Sequence, residues 1–160
     1  MDVGGGASRL VDCLLDSGYT DVTVVDVSEP ALERAKRRLG DRAARVKWLA
    51  ADVRELRLPG KVDVWHDRAV FHFLTEEADR AAYLDSMRAA LRVGGYVVMA
   101  TFALTGPEQC SGLIVSRYDA EMLRDLFGPD FQLVHSLERD HITPGGGAQR
   151  FTYALLRRAR

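Results

Sequence analysis

Apolar residues recur along this chain in two alternating rhythms, one of helical period and one of short β-branched runs. Leu10, Val11, Leu14 and Leu15 repeat at helical spacing and stop before Gly18. Val22-Thr23-Val24-Val25 is a β-branched run that ends at Asp26. Ser28 is a good N-cap with Pro30 in the first turn behind it, and Leu32, Ala35 and Leu39 form the apolar stripe of a helix that Gly40 ends. Val46-Lys47-Trp48-Leu49-Ala50 reads as a third strand, and Val62-Asp63-Val64-Trp65-His66-Asp67 as a fourth that reaches a polar end. Thr75 predicts the cap of a helix with the stripe Tyr83, Met87 and Leu91, which Gly94-Gly95 breaks. Residues 96–102 form a fifth strand. Asp119 caps a short helix carrying Met122, Leu123, Leu126 and Phe127. Residues 131–134 and 151–156 read as two late strands, with Pro144-Gly145-Gly146-Gly147 in the turn region between them.

Repeated strand–helix alternation predicts an α/β fold, a doubly wound and mostly parallel sheet with helices on both faces. The late strand pair, with no helix between its members, predicts an antiparallel edge. The length of 160 residues suits one domain spanning 1–160. A formal net charge of −1 gives no bulk attraction to nucleic acid or to an anionic membrane. No apolar run reaches the roughly 20 residues of a membrane helix, and no basic-then-apolar leader opens the chain, so a cytoplasmic location is expected. The two cysteines, Cys13 and Cys110, make neither a disulfide framework nor a metal-ligand cluster.

The chemistry begins at Met1-Asp2-Val3-Gly4-Gly5-Gly6-Ala7-Ser8, where a strand end, a glycine turn and a helix start follow one another. Such a turn lets a ligand approach the backbone closely, and the helix behind it offers free N–H groups. In doubly wound sheets ligands bind outside the carboxyl ends of the strands. Three acidic residues fall at such ends. Asp2 precedes the glycines, Asp26 closes the second strand, and Asp52 follows the third. A carboxylate at Asp26 can accept from both ribose hydroxyls. One at Asp52 can accept from an adenine amino group, with Val53 supplying a backbone N–H. Together they predict an adenosine site. A dinucleotide-binding G-x-G-x-x-G fits less well, because Arg9 occupies the third glycine position, and no Gly-Lys-Ser/Thr is present for a P-loop.

Asp2-Val3-Gly4-Gly5-Gly6-Ala7-Ser8, Asp26, Ala51-Asp52-Val53 and Leu91-Arg92-Val93-Gly94-Gly95-Tyr96-Val97-Val98 resemble, in order and spacing, the motifs of class I S-adenosylmethionine-dependent methyltransferases. The resemblance covers nearly the whole chain. It implies a Rossmann-like sheet of seven strands with the last antiparallel, and S-adenosylmethionine as cofactor. By position it implies Asp2 and Gly4 to Gly6 against the methionine part, Asp26 and Val27 at the ribose, Asp52 and Val53 at the adenine, and His66 near the sulfonium. Ser8 departs from the third glycine of many members. The segment Trp65-His66-Asp67-Arg68-Ala69-Val70-Phe71 also looks like the post-fourth-strand element of thiopurine-methyltransferase-like enzymes, which act on sulfur and selenium nucleophiles. It is equally similar to the Asp-Arg/Lys element of elongation-factor lysine methyltransferases, and Asp67-Arg68 has a bland reading as a structural ion pair.

Methyl transfer is an in-line displacement at an activated carbon, so alignment and exclusion of water are the protein's main tasks. A base matters only for a nucleophile that arrives protonated. His66, Asp67 and His141 are the catalytic candidates, and Phe71, Phe102, Arg117, Tyr118 and Gln149 are expected to line the acceptor side. His72 and His135 are expected at the surface or in packing. The expected acceptor is a small molecule, sulfur or selenium favoured. A protein-lysine acceptor and a catalytically idle cofactor-binding module are the alternatives. The family normally carries a helical lid before the glycine loop, and a central first strand is usually about five residues long. Met1-Asp2-Val3 predicts a truncated first strand without that lid, to be explained by an upstream start, by a second copy covering the gap, or by an open cleft.

Overall fold

A computed structural model of the chain describes residues 1–143 and 145–160. Pro144, part of the turn predicted from sequence, lies outside the described residues. The elements follow in the order β1 (Asp2–Val3), α1 (Leu10–Asp16), β2 (Val22–Asp26), α2 (Glu29–Leu39), β3 (Val46–Ala50), β4 (Val62–Arg68), α3 (Glu77–Ala90), β5 (Leu91–Phe102), β6 (Gln109–Cys110), β7 (Leu113–Ile114), α4 (Ala120–Phe127), β8 (Phe131–Ile142) and β9 (Ala148–Arg158).

Seven strands form one sheet in the order β3-β2-β1-β4-β5-β9-β8, and β6 pairs with β7 in a separate small hairpin. β1 to β5 are parallel to one another. β9 runs antiparallel to both β5 and β8. The antiparallel strand is therefore inside the sheet, and β8 forms the edge. The late hairpin thus forms the expected antiparallel edge, with β9, the last strand, seated on β5 and β8 outermost.

Side chains of alternate residues point to opposite faces of a strand, and this sorts the helices. Val22 and Val24 of β2 pack with Val11 and Leu15 of α1 and with Leu32 and Leu39 of α2. Val3, Val25, Trp65, Val97 and Met99 face the other way, onto Tyr83 and Met87 of α3 and Leu123 and Phe127 of α4. Burying each of these large side chains contributes roughly 1.5–3 kcal/mol, and this drives the two-faced sandwich.

The caps largely follow the sequence. Ser28 Oγ accepts from Ala31 N–H at 3.3 Å, and Asp119 Oδ1 from Met122 N–H at 2.8 Å. Two expectations are corrected. Glu76, not Thr75, stands at the N-cap of α3, without a side-chain cap. Leu91 is not the last residue of the helical stripe but the first of β5, paired with Val62. Gly94-Gly95 lie inside that strand, where a Cβ at Gly95 would fall 2.9 Å from Asp63 O. Tertiary pairing overrides the usual reading of a glycine pair as a break. No helix among the described residues is long and apolar enough to cross a membrane.

Candidate cofactor and active site

The central position of β1 brings the glycine turn between the ends of β2 and β4. Gly4 and Gly5 N–H both donate to Val25 O, at 2.8 and 3.3 Å, and Ser8 N–H donates to Gly5 O at 2.7 Å. Each glycine is required by a different neighbour. A Cβ at Gly4 would lie 2.0 Å from Val70 Cγ2; at Gly5, 2.6 Å from an Asp2 carboxylate oxygen; at Gly6, 2.9 Å from Asp26 Oδ2. Gly4 and Gly6 also have φ of +64° and +42°, a region that L side chains rarely adopt. Ser8 accepts from Leu10 N–H at 3.1 Å and so helps start α1 where a third glycine was expected.

Asp26 ends β2 with its carboxylate half committed. Oδ1 accepts from Ser28 N–H at 2.8 Å, while Oδ2 faces the turn at Gly6. Val27 beside it is exposed. The Asp52 carboxylate is more heavily used. It accepts from Arg54 N–H at 2.9 Å and pairs with the Arg54 guanidinium at 2.6 Å, which in turn reaches Asp79 at 2.5 Å. The Arg54 side chain holds the Asp52 carboxyl below the usual carboxylate range. Val53 opens a short 3-10 turn, so its N–H has no partner within that turn.

His66 Nδ1 lies 2.8 Å from Asp2 Oδ1. The contact orients the imidazole, with Nε2 unengaged by Asp2. Asp67, one residue on, points to the opposite face and is completely buried. It accepts from Val70 N–H at 2.9 Å, from Phe71 N–H at 3.2 Å and from the Tyr83 hydroxyl at 2.6 Å; Tyr83 in turn accepts from Trp65 Nε1–H at 2.8 Å. Burial pushes its carboxyl up to about 6. Two sequence readings of Asp67 are thereby corrected. A side chain sealed under the sheet cannot meet an acceptor, and strand alternation sends Arg68 to the other face, so the two do not pair. Tyr83 and Val70 both stand in the sequence reading, but their contacts with Asp67 emerge only from the structure. A tyrosine rather than a leucine in the α3 stripe was the available clue, because a buried phenol needs a partner.

The expected acceptor side is partly closed. Phe71 and Phe102 are fully buried and Tyr118 nearly so, packed as core aromatics with ring centroids of Phe71 and Tyr118 5.6 Å apart. Burial corrects the expectation that these rings line an open pocket. The Arg117 guanidinium is tied to Glu108 at 3.0 Å and Gly106 O at 3.2 Å. His141 and Gln149 stand opposite each other at the end of the β8–β9 hairpin. His72 is a packing residue between Phe73 and Phe102; burial pushes its imidazole down to about 4. His135 is exposed.

A cavity of about 550 Å³ lies elsewhere, beside α1 and the amino-terminal halves of β2 and β4. It is lined by Leu14, Tyr19, Val22, Lys61 and Val64, and meets the glycine turn only at Asp2 and His66. It lies where the two-residue β1 runs between a five-residue β2 and a seven-residue β4. Strand-end chemistry, not cavity size, marks the site.

The family model described as a methyltransferase domain matches residues 1–95. Malonyl-[acyl-carrier protein] O-methyltransferase of Anoxybacillus flavithermus is 34% identical over 89 residues, covering 55% of this chain and 34% of that relative. The eEF1A lysine and N-terminal methyltransferase of Bos taurus is 32% identical over 100 residues, covering 58% of this chain and 14% of that relative. The chain thus spans about a third or less of these relatives' length. The N-methyltransferase NodS from Bradyrhizobium japonicum WM9 superimposes with a TM-score of 0.79 at 19% identity, over 99% of this chain and 84% of NodS. NodS in complex with S-adenosyl-L-homocysteine superimposes at 0.76. These structures share this chain's Rossmann-like fold. By that fold, and by the match over its first 95 residues, the chain belongs to the methyltransferase domain family.

Proposed function

We propose that residues 1–160 act as one S-adenosylmethionine-binding domain that transfers a methyl group to a small nucleophile, with sulfur or selenium favoured. The observation that carries this reading is the glycine turn threaded between Asp2, Asp26 and Val70, with Asp26 Oδ2 unengaged beside it. The absence of side chains lets the turn pack directly against these three residues, and a free carboxylate oxygen at a strand end suits a ribose hydroxyl. Gly4 to Gly6 approach the methionine part, Asp26 and Val27 hold the ribose, and Asp52 with Val53 N–H face the adenine. Asp52 shares its carboxylate with Arg54, so its contribution there is a partial one. Bound S-adenosylmethionine supplies an already activated methyl carbon. The protein's own work is to orient the acceptor and exclude water. His66, aimed by Asp2, is the proton-handling candidate, and His141 stands farther along the acceptor side. A thiol or selenol acceptor needs little from either, because its anion is available near neutral pH.

A protein-lysine acceptor is the second reading, favoured by the likeness to the eEF1A lysine and N-terminal methyltransferase. Calorimetry with S-adenosylmethionine tests the cofactor assignment, and absence of binding at millimolar ligand sinks it. Asp26→Ala is expected to weaken binding roughly tenfold to a hundredfold, the loss of charge-assisted hydrogen bonds. Release of S-adenosylhomocysteine with thiols and selenols, set against amines and lysine peptides, decides the acceptor class.

A further inference from the structure

We propose that Asp67 is a positioning residue for the cofactor: its ionised carboxylate gathers the turn after β4, and that turn seats Val70 against Gly4. The inference rests on the cofactor reading above. The carboxylate takes three donors. Oδ1 accepts from Val70 N–H at 2.9 Å, and Oδ2 from Phe71 N–H at 3.2 Å and from the Tyr83 hydroxyl at 2.6 Å. The turn so closed holds Ala69 at φ +68°, a strained backbone that persists only where its surroundings over-determine it. Ala69 N–H is fixed in addition by Ala100 O on β5, at 2.9 Å. Val70 then leaves the turn with its Cγ2 only 2.0 Å from the point where a Gly4 side chain would begin. Asp67 also stands beside Val3 in the β1–β4 ladder, one residue before Gly4. The inner wall of the glycine turn is thus a residue whose N–H is held by a buried acid.

Three donors suit an ionised acid, which accepts at both oxygens. A protonated Asp67 must place a proton of its own where donors already point. Tyr83 is a poor acceptor for it. Its oxygen already receives Trp65 Nε1–H at 2.8 Å, and burial keeps the phenol protonated. With Oδ2 protonated, two donors converge on the Tyr83 oxygen and the phenol proton loses its acceptor. The turn then loosens, and Val70 carries the loosening to Gly4. Burial pushes the carboxyl up to about 6, so the change falls at an accessible pH. β1 and β5 flank Asp67 with Val3 and Met99, neither of which titrates. α3 presents Tyr83, and His66, one residue back, is the other titrating group that acts on the carboxyl. The core cluster around them is otherwise apolar.

The test is calorimetry with S-adenosylhomocysteine at pH 7.5 and pH 5, on protein that circular dichroism shows to be folded at both. The wild type is expected to bind about fivefold more weakly at pH 5, the effect of one displaced hydrogen bond. Asp67→Asn should bind equally at the two pH values. Val70→Ala keeps the acid and removes its contact with Gly4, and should cut the ratio to about twofold or less; it decides the matter even if Asp67→Asn does not fold. His66→Gln should keep the ratio. An acid with a structural role alone lowers stability and leaves the ratio as it was. No pH dependence in the wild type, the full ratio in Val70→Ala, or its loss in His66→Gln overturns the assignment. A ligand-free measurement separates this from the cofactor reading: the Gly4 amide resonance should titrate with a midpoint near 6 in the wild type and not in Val70→Ala. If S-adenosylhomocysteine does not bind, the cofactor reading falls, and the Gly4 titration still decides whether the acid governs the turn.

Discussion

Tyr83 donates its hydroxyl proton to Asp67 across 2.6 Å inside the core, and so ties α3 to the turn that follows β4. The same carboxylate receives Val70 and Phe71 N–H. Val70 then stands under Gly4. One buried acid thus joins a helix on one face of the sheet to the glycine turn.

That acid makes stability depend on pH. Burial raises its folded-state value to about 6 from an ordinary 3.8. A raised carboxyl favours the protonated folded form, so its contribution is complete below the unfolded value and disappears as pH rises through about 6. Compared with Asp67→Asn, which cannot titrate, the wild type should gain about 1 kcal/mol between pH 7 and pH 5. Urea unfolding at the two pH values measures it; a constant difference between the two proteins contradicts the assignment.

Gly4→Ala should clash with Val70 and also place a Cβ at φ +64°. The left-handed backbone alone costs about 1–2 kcal/mol. Cofactor affinity should fall at least about tenfold, and adding Val70→Ala should recover part of the loss but not all, because the backbone term remains. A double-mutant cycle on S-adenosylmethionine binding reads this directly. Full recovery would assign the whole effect to the side-chain clash.

Ala69 carries φ +68° in the turn that Asp67 holds. Ala69→Gly relieves that conformation but makes the unfolded chain more flexible, so a net gain of about 0.5–1 kcal/mol is expected. A rise in melting temperature without change in cofactor affinity checks it.

Arg54 bridges Asp52 and Asp79. Its side chain is 38% exposed, and solvent screening keeps the stability loss of Arg54→Ala small. The sharper effect should appear at the adenine end: Asp52 is released from its partner, and affinity for adenosine-containing ligands changes while that for methionine does not. Competition binding with the two fragments distinguishes the outcomes.

What was legible in the sequence was local. The glycine turn, Asp26 and the Ser28 and Asp119 caps follow from neighbours within a few residues, and the structure has the turn, the strand end and both caps where the pattern puts them. Asp67 was misread because its role depends on which face of β4 is covered. That is set by α3, whose Tyr83 is 16 residues away. Leu91 was given to a helix because Gly94-Gly95 reads as a break, while its pairing with Val62 is a long-range contact.

The interior seat of β9 also imposes an order of assembly. β8 is joined to the rest of the sheet only through β9, although it comes earlier in the chain. The β8–β9 hairpin is a local pairing, whereas β1–β4 joins Asp2 to His66 and β5–β9 joins Phe102 to Phe151, both far apart in sequence. Non-local pairing of this kind is slow relative to local contacts. The hairpin is therefore expected to gain hydrogen-exchange protection during refolding before either sheet junction closes, the one that carries the glycine turn included.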